Sequence, residues 1–190
     1  YFLGCLWLFY LGLIEAKLKR ILIIYSSVHG QTQKIATKLA QQLTALDNEV
    51  VTADIKAAPA LTEFDKIIIG ASIRHGKHNP SLYEFIEKHQ AVLMDKVSGF
   101  FSVSLVARKA EKNTPETNPY MQAFLSKTTW RPQLLRVFGG NLNYQGYNAL
   151  DRNIIRFIMW LTKGPTDPVT NVEYTDWQKV ADFGEQIHRA

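Results

Sequence analysis

Short, wholly apolar runs alternate along this chain with longer stretches in which apolar positions recur every three or four residues. Ile21-Leu22-Ile23-Ile24-Tyr25 shows no polar alternation and is rich in β-branched side chains, so it predicts a strand buried on both faces near the middle of a parallel sheet. After a loop from Ser26 to Thr32, Ile35, Leu39, Leu43 and Leu46 recur at helical spacing, with Lys34 and Lys38 on other faces. Glu49 to Asp54 predicts a second strand and Lys66 to Gly70 a third. Pro80 opens a helix carrying Leu82, Phe85, Ile86 and Leu93, proline being tolerated in a first turn. Gly99 to Ser104 reads as a fourth strand, Arg108 to Thr117 as a charged loop, Asn118 to Lys127 as a short helix and Leu135 to Gly139 as a fifth strand. A last helix runs from about Thr175 to Arg189, capped by Thr175 or Asp176 and burying Trp177, Val180, Phe183 and Ile187. Five strands alternating with helices predict an α/β fold, a doubly wound five-stranded parallel sheet with helices on both faces.

Two segments fall outside that plan. About thirty residues, Asn141 to Asn171, separate the fifth strand from the last helix, and connections this long inside a compact domain usually carry function. Within them Ala149 to Lys163 predicts a helix with Leu150, Ile154, Ile155, Ile158 and Leu161 on its apolar side, and with Arg152, Arg156 and Lys163 set against the single acid Asp151. At the other end, Tyr1 to Ile14 is almost wholly apolar and is followed by Lys17, Lys19 and Arg20. As a helix it would rise about 21 Å, short of the ~30 Å hydrocarbon core of a bilayer. The basic flank after the run is the reverse of a secretory signal, and positive-inside bias would keep the following domain cytoplasmic. The first twenty residues therefore read either as a membrane-directed end or as a non-native extension.

Composition narrows the chemistry. A chain of 190 residues with 46% apolar content supports one buried core. Cys5 is the lone cysteine, which excludes an internal disulfide, a cysteine-ligated iron–sulfur cluster and a CxxC redox pair. A formal charge of +5 favours anionic partners but is too small and dispersed to imply nucleic acid. No Ser-His-Asp, Cys-His or metal-ligand pattern stands out; the histidines are scattered, and Asp151 and Asp167 read as structural or exposed. No general base is named and no metal is expected.

The strongest local signal is Ser26-Ser27-Val28-His29-Gly30-Gln31-Thr32, between the first strand and its helix. Ligands of open α/β sheets bind at the carboxyl ends of strands, and a helix N-terminus offers unpaired N–H groups to an anion. The hydroxyls of Ser26, Ser27 and Thr32 add donors, while Gly30 lets the backbone curl around a phosphate. No Gly-Lys-Ser/Thr follows and no GxGxxG is present, so a mononucleotide phosphate is left.

Ser-Ser-x-x-Gly-x-Thr after an apolar first strand resembles the phosphate loop of the flavodoxin superfamily, which holds flavin mononucleotide (FMN). Gly70-Ala71-Ser72-Ile73-Arg74-His75-Gly76, Ser102 to Lys109, Trp130-Arg131-Pro132 and Tyr174-Thr175-Asp176-Trp177 further resemble the menaquinone-dependent protoporphyrinogen IX dehydrogenases, flavodoxin-like enzymes of bacterial haem biosynthesis. The likeness covers nearly everything after residue 20 and makes 21–190 one flavodoxin-like domain with an insertion at about 141–171. It departs in the apolar N-terminus and in Val28-His29, where charged residues are common; backbone donors should tolerate that change.

The resemblance implies that Ser72, Ile73, Arg74, His75 and Gly76 after the third strand, and Ser104, Leu105, Val106, Ala107 and Arg108 after the fourth, grip the isoalloxazine ring. Arg74, His75, Lys77 and His78 would place cations beside it, favouring the anionic reduced ring and raising its potential. Arg108, Lys109, Lys112, Arg152, Arg156 and Lys163 become candidates to meet porphyrinogen propionates or anionic lipid, with the insertion lying on the cytoplasmic face of the inner membrane, where menaquinone or ubiquinone resides. A helix simply packed on the domain is the alternative for that segment. The expected activity is FMN-dependent oxidation of protoporphyrinogen IX with a quinone acceptor. A non-catalytic flavodoxin-type electron carrier and an NAD(P)H:quinone reductase remain open, as does a homo-oligomer.

Overall fold

The computed structural model describes residues 18–190, so the reading of the apolar run before residue 18 lies outside the described residues. In chain order the elements are β1 (Arg20–Ser26), α1 (Gln31–Ala45), β2 (Glu49–Asp54), β3 (Lys66–Arg74), β4 (Lys77–His78), α2 (Pro80–Asp95), β5 (Val97–Ser104), α3 (Pro119–Lys127), β6 (Leu134–Gly139), β7 (Asn141–Asn143), α4 (Ala149–Leu161), β8 (Asn171–Glu173) and α5 (Trp177–Arg189). The main strands lie in the order β2-β1-β3-β5-β6, every neighbouring pair parallel. The short β4 adds a sixth, antiparallel strand beside the end of β3.

The apolar runs divide by pleat. Leu22, Ile24, Ile67, Ile69 and Phe100 face α2 and α3, meeting Leu82, Ile86, Met121, Phe124 and Trp130. Their neighbours Ile21, Ile23, Ile68 and Phe101 face α1 and α5, meeting Ile35, Leu39, Val180 and Phe183. Strands covered on both faces in this way need no polar alternation, which is why the runs are continuous in sequence. Gly70 on β3 stands opposite Phe101 on β5, and a Cβ there would strike the Phe101 ring. Lys66, buried at the start of β3, donates to the carbonyls of Ile187 and His188 (2.7 and 2.9 Å) and so closes the C-terminal end of α5.

The five parallel strands and the helices on both faces agree with the sequence reading, but local extents differ. β3 continues past Gly70 through Ser72 to Arg74, then reverses through His75 (φ 49°) and Gly76 (φ 78°) into β4, so the expected loop is partly strand. The insertion is closed at its base by β7 pairing with β8, Asn141 opposite Glu173. Its helix ends at Leu161, two residues short of Lys163, which takes a left-handed turn (φ 55°). Under α4, Leu142, Tyr144, Tyr147 and Met159 form a small core of their own. Among the described residues no helix is long and apolar enough to cross a membrane.

Candidate functional site

At the carboxyl ends of β1, β3, β5 and β6 lies a cleft of about 840 Å³, counted out to its open mouth. Its floor begins at the loop into α1. Gly30 is the N-cap of that helix in the left-handed region (φ 85°), and no side chain caps the helix. Ser27 Oγ instead accepts from the Gly30 amide at 3.1 Å, tightening the loop. The first-turn amides of α1 are thus left to an outside acceptor. Ser27, His29, Gln31 and Thr32 line the cleft, whereas Ser26, Val28 and Gly30 shape the loop from behind. The Ser26 carbonyl accepts from Ser72 Oγ (3.3 Å), and Val28 points to solvent with 39% exposure.

The segments after β3 and β5 form the walls. Ser72, Ile73, Arg74, His75 and Gly76 all reach the cleft, as do Ser104, Leu105 and Val106. Ala107 and Arg108 do not. A tight 3-10 turn, Leu105–Arg108, carries them away: Ala107 is buried, and the Arg108 guanidinium donates to the Leu105 carbonyl (3.0 Å) and to the carbonyl and hydroxyl of Thr162 (3.3 and 2.9 Å). Arg108 is therefore a strut beneath the C-terminal end of α4 instead of a cleft cation.

Three buried polar atoms on this lining have no partner within the described protein: Thr32 Oγ1, Ser104 Oγ and Asn141 Oδ1. Buried polar atoms are nearly always hydrogen-bonded, and orphans gathered in one cleft mark the outline of a polar ligand. Thr32 lies at the anion end and Ser104 and Asn141 at the far end, a spread that fits a phosphate at one extremity and a hydrogen-bonding ring edge at the other. These two hydroxyls and one amide oxygen fit a flavin nucleotide.

The roof comes from the insertion. Ile154, Ile155 and Ile158 of α4 line the cleft, along with Tyr147 and Asp151. Asp151, read from sequence as structural or exposed, is 1% exposed and gathers the charge of the site. Arg74 Nη2 donates to both its oxygens (3.2 and 3.0 Å), His75 Nε2 lies 2.7 Å from Oδ1, Asn148 Nδ2 donates to Oδ2 (3.1 Å), and His29 Nε2 sits 3.7 Å away. Burial pushes the Asp151 carboxyl up in pKa, but the bonds from His75 and Arg74 outweigh it and leave the group below the usual carboxylate range. His29, packed on the Tyr147 ring at 4.6 Å, is held below the usual imidazole range, first by burial and then by Arg74 and His75, with Asp151 opposing.

The expected ring of cations is thus corrected. Arg74 is ion-paired to Asp151, His75 is held against the same carboxylate, and His78 is no cation: buried at 3% exposure against Ser102 Oγ (3.0 Å), it has a pKa lowered to about 4 by desolvation and then by Lys127. Arg152, Arg156, Lys163 and Lys109 all lie outside the cleft lining, and Arg156 Nε is tied to the Thr166 carbonyl (3.0 Å). Tyr120, Gly140, Asn141, Tyr147 and Asp151 were missed in sequence. Of these only the length of the insertion gave any signal. Among the described residues no group of acidic, histidine or cysteine side chains is arranged to hold a metal.

Fold and cleft together define a flavodoxin-type domain, and the chain belongs to the flavodoxin domain family, whose model matches residues 22–169. Within that class its relatives include the protoporphyrinogen IX dehydrogenase (quinone) of Escherichia coli, 41% identical over 170 residues and covering 88% of this chain and 94% of that one. The Leishmania major protein of the same name is 40% identical over 171 residues, covering 88% and 74%. Among solved structures, oxidised flavodoxin 1 from Bacillus cereus superposes with a TM-score of 0.54 over 90% of this chain and 97% of that one at 17% identity. An archaeal flavodoxin does so with a TM-score of 0.51 over 90% and 96% at 13% identity. These two share the fold alone.

Proposed function

We propose that this chain oxidises protoporphyrinogen IX to protoporphyrin IX in successive two-electron steps of haem biosynthesis, with FMN held non-covalently in the cleft and a membrane quinone, menaquinone or ubiquinone, as acceptor. The observation that carries the reading is the 41% identity over 170 residues to the E. coli dehydrogenase. An alignment of that length takes in the insertion as well as the sheet, whereas the flavodoxins resemble only the fold.

FMN supplies, when bound, the hydride chemistry that no side chain of this chain provides. The α1 amides, Ser27 and Thr32 would hold its phosphate, and Ser104 and Asn141 would meet polar atoms at its other end. Ile154, Ile155 and Ile158 exclude water above the cleft and offer an apolar surface to a macrocycle. Asp151 pairs its single negative charge with Arg74, so the walls present less net charge than their sequence suggests. Membrane contact is supported by the outer face of α4, where Leu150 (64%), Phe157, Trp160 (67%) and Leu161 are exposed, with Arg152 on the helix and Lys163 in the turn just beyond its end. That face suits the cytoplasmic surface of a bilayer, aromatics at the interface and cations toward anionic headgroups.

The test is anaerobic: protein with FMN receives protoporphyrinogen IX with and without a quinone, and separately NADH with quinone. Porphyrin fluorescence that grows only when quinone is present is expected. NADH oxidation without porphyrin formation would replace this reading with a quinone reductase, and inactivity in both would leave an electron carrier.

A further inference from the structure

Three parts of the molecule far apart in sequence converge on one buried carboxylate. His29 comes from the phosphate loop, Arg74 from the end of β3 and His75 from the turn that follows it, and Asp151 from the first turn of α4. On its own helix Asp151 also completes a reciprocal cap: its amide donates to Asn148 Oδ1 (2.8 Å) while Asn148 Nδ2 donates back to Asp151 Oδ2 (3.1 Å). At the other end of α4, Arg108 from the turn after β5 holds Thr162. Each end of the roof helix is therefore fastened by an arginine from one of the two walls of the cleft. The His75 backbone is left-handed (φ 49°), a conformation uncommon for a side-chain-bearing residue, and it sets the imidazole 2.7 Å from Asp151.

We infer that Asp151 is a positioning residue that makes closure of the α4 roof and ordering of the flavin-binding loops a single event, because its carboxylate clasps the roof to the β3 wall while His29 of the phosphate loop lies against it and packs on Tyr147 just ahead of the helix. The inference rests on FMN binding in this cleft. A ligand that orders the phosphate loop and the β3 turn fixes His29, Arg74 and His75, and with them the anion that anchors α4. By linkage, anything that fixes α4 raises affinity for the ligand by the same factor. The orphaned Thr32, Ser104 and Asn141 atoms are what the ligand would satisfy; the Asp151 clasp is what transmits that satisfaction to a helix whose inner face supplies the isoleucines.

Hydrogen exchange of the full chain, with and without FMN, reads this directly. FMN is expected to slow exchange at residues 149–161 while leaving α2, which does not line the cleft, unchanged. In Asp151→Asn the α4 protection is expected to disappear and the FMN dissociation constant to rise about tenfold, a coupling of ordinary size. Arg74→Gln should lose part of the protection, and Arg74→Lys should regain it, since a single guanidinium nitrogen makes both contacts. Arg74 is 45% exposed, so these variants keep the core intact should Asp151→Asn misfold. Quenching of FMN fluorescence by the native chain without any change at 149–161 would overturn the coupling while leaving the cofactor reading in place. No quenching at all would overturn both.

Discussion

At the scale of single residues, the chain contains basic and hydroxyl side chains whose roles only burial decides. His78 follows Arg74, His75 and Lys77 in sequence and looks like one of a group of cations, yet it sits among Tyr83, Phe100 and Phe124 with its proton equilibrium displaced to a pKa of about 4. Its folded pKa lies below the unfolded value of 6.5, so the unfolded chain takes up the proton first. Stability is fully present above pH 6.5 and is lost as pH falls toward 4, by about 2 to 3 kcal/mol at pH 4.5. Urea melts of native protein and His78→Gln at pH 7.5 and 4.5 should show a smaller acid loss in the variant. Thr32 carries a different signature, because its hydroxyl is buried without a protein partner. Thr32→Val should leave the cofactor-free protein as stable or slightly more so, while a lost bond to a charged phosphate, worth about 1.5 kcal/mol, weakens FMN affinity about tenfold. Fluorescence titration and thermal melts separate the two effects. The candidate loop from Ser26 to Thr32 was visible in sequence because its hydroxyls and glycine are contiguous. Asp151 was not, because its partners Arg74 and His75 lie 77 and 76 positions away and nothing local to Asp151 records them.

At the scale of elements, α4 has two faces with different occupants. The inner one, Ile154, Ile155 and Ile158 with the fully buried Met159, belongs to the cleft and to the small core below it. The outer one is uncovered by any of the described residues: Phe157 and Trp160 stack on each other at 6.1 Å and remain 59% and 67% exposed. Burying a large apolar side chain contributes about 1.5 to 3 kcal/mol, so Trp160→Glu should weaken binding to vesicles containing anionic lipid by about tenfold or more in cosedimentation. Arg152→Glu should weaken it further and make it less sensitive to salt. On β3, Gly70→Ala would push Cβ into the Phe101 ring and is expected to cost about 1 to 3 kcal/mol in chemical denaturation. Helical periodicity made α4 visible in sequence, as continuous apolar runs did for the central strands. The three-residue strands β7 and β8 were invisible, since neither is long enough to show a period, and β3 was underestimated because Ser72 to Arg74 trade an apolar pattern for cleft-facing side chains.

For the whole molecule, the parallel sheet brings its functional loops to one edge because every main strand runs the same way, and that arrangement was legible from the alternation of strands and helices alone. Ligand binding there should register globally: FMN at a hundred times its dissociation constant adds about 2.7 kcal/mol, or roughly 5 to 10 °C in melting temperature for a chain of this size. The pairing of Asn141 with Glu173 has a consequence for how such a molecule comes about. Because both ends of the intervening chain meet across one rung of a ladder, that stretch can be taken out or put in without moving any strand of the main sheet. Replacing 144–170 by a tight turn should leave a yellow, cooperatively melting protein that shuttles electrons but no longer makes porphyrin. On that view, a generic redox shuttle and a dedicated dehydrogenase are separated by one detachable cassette.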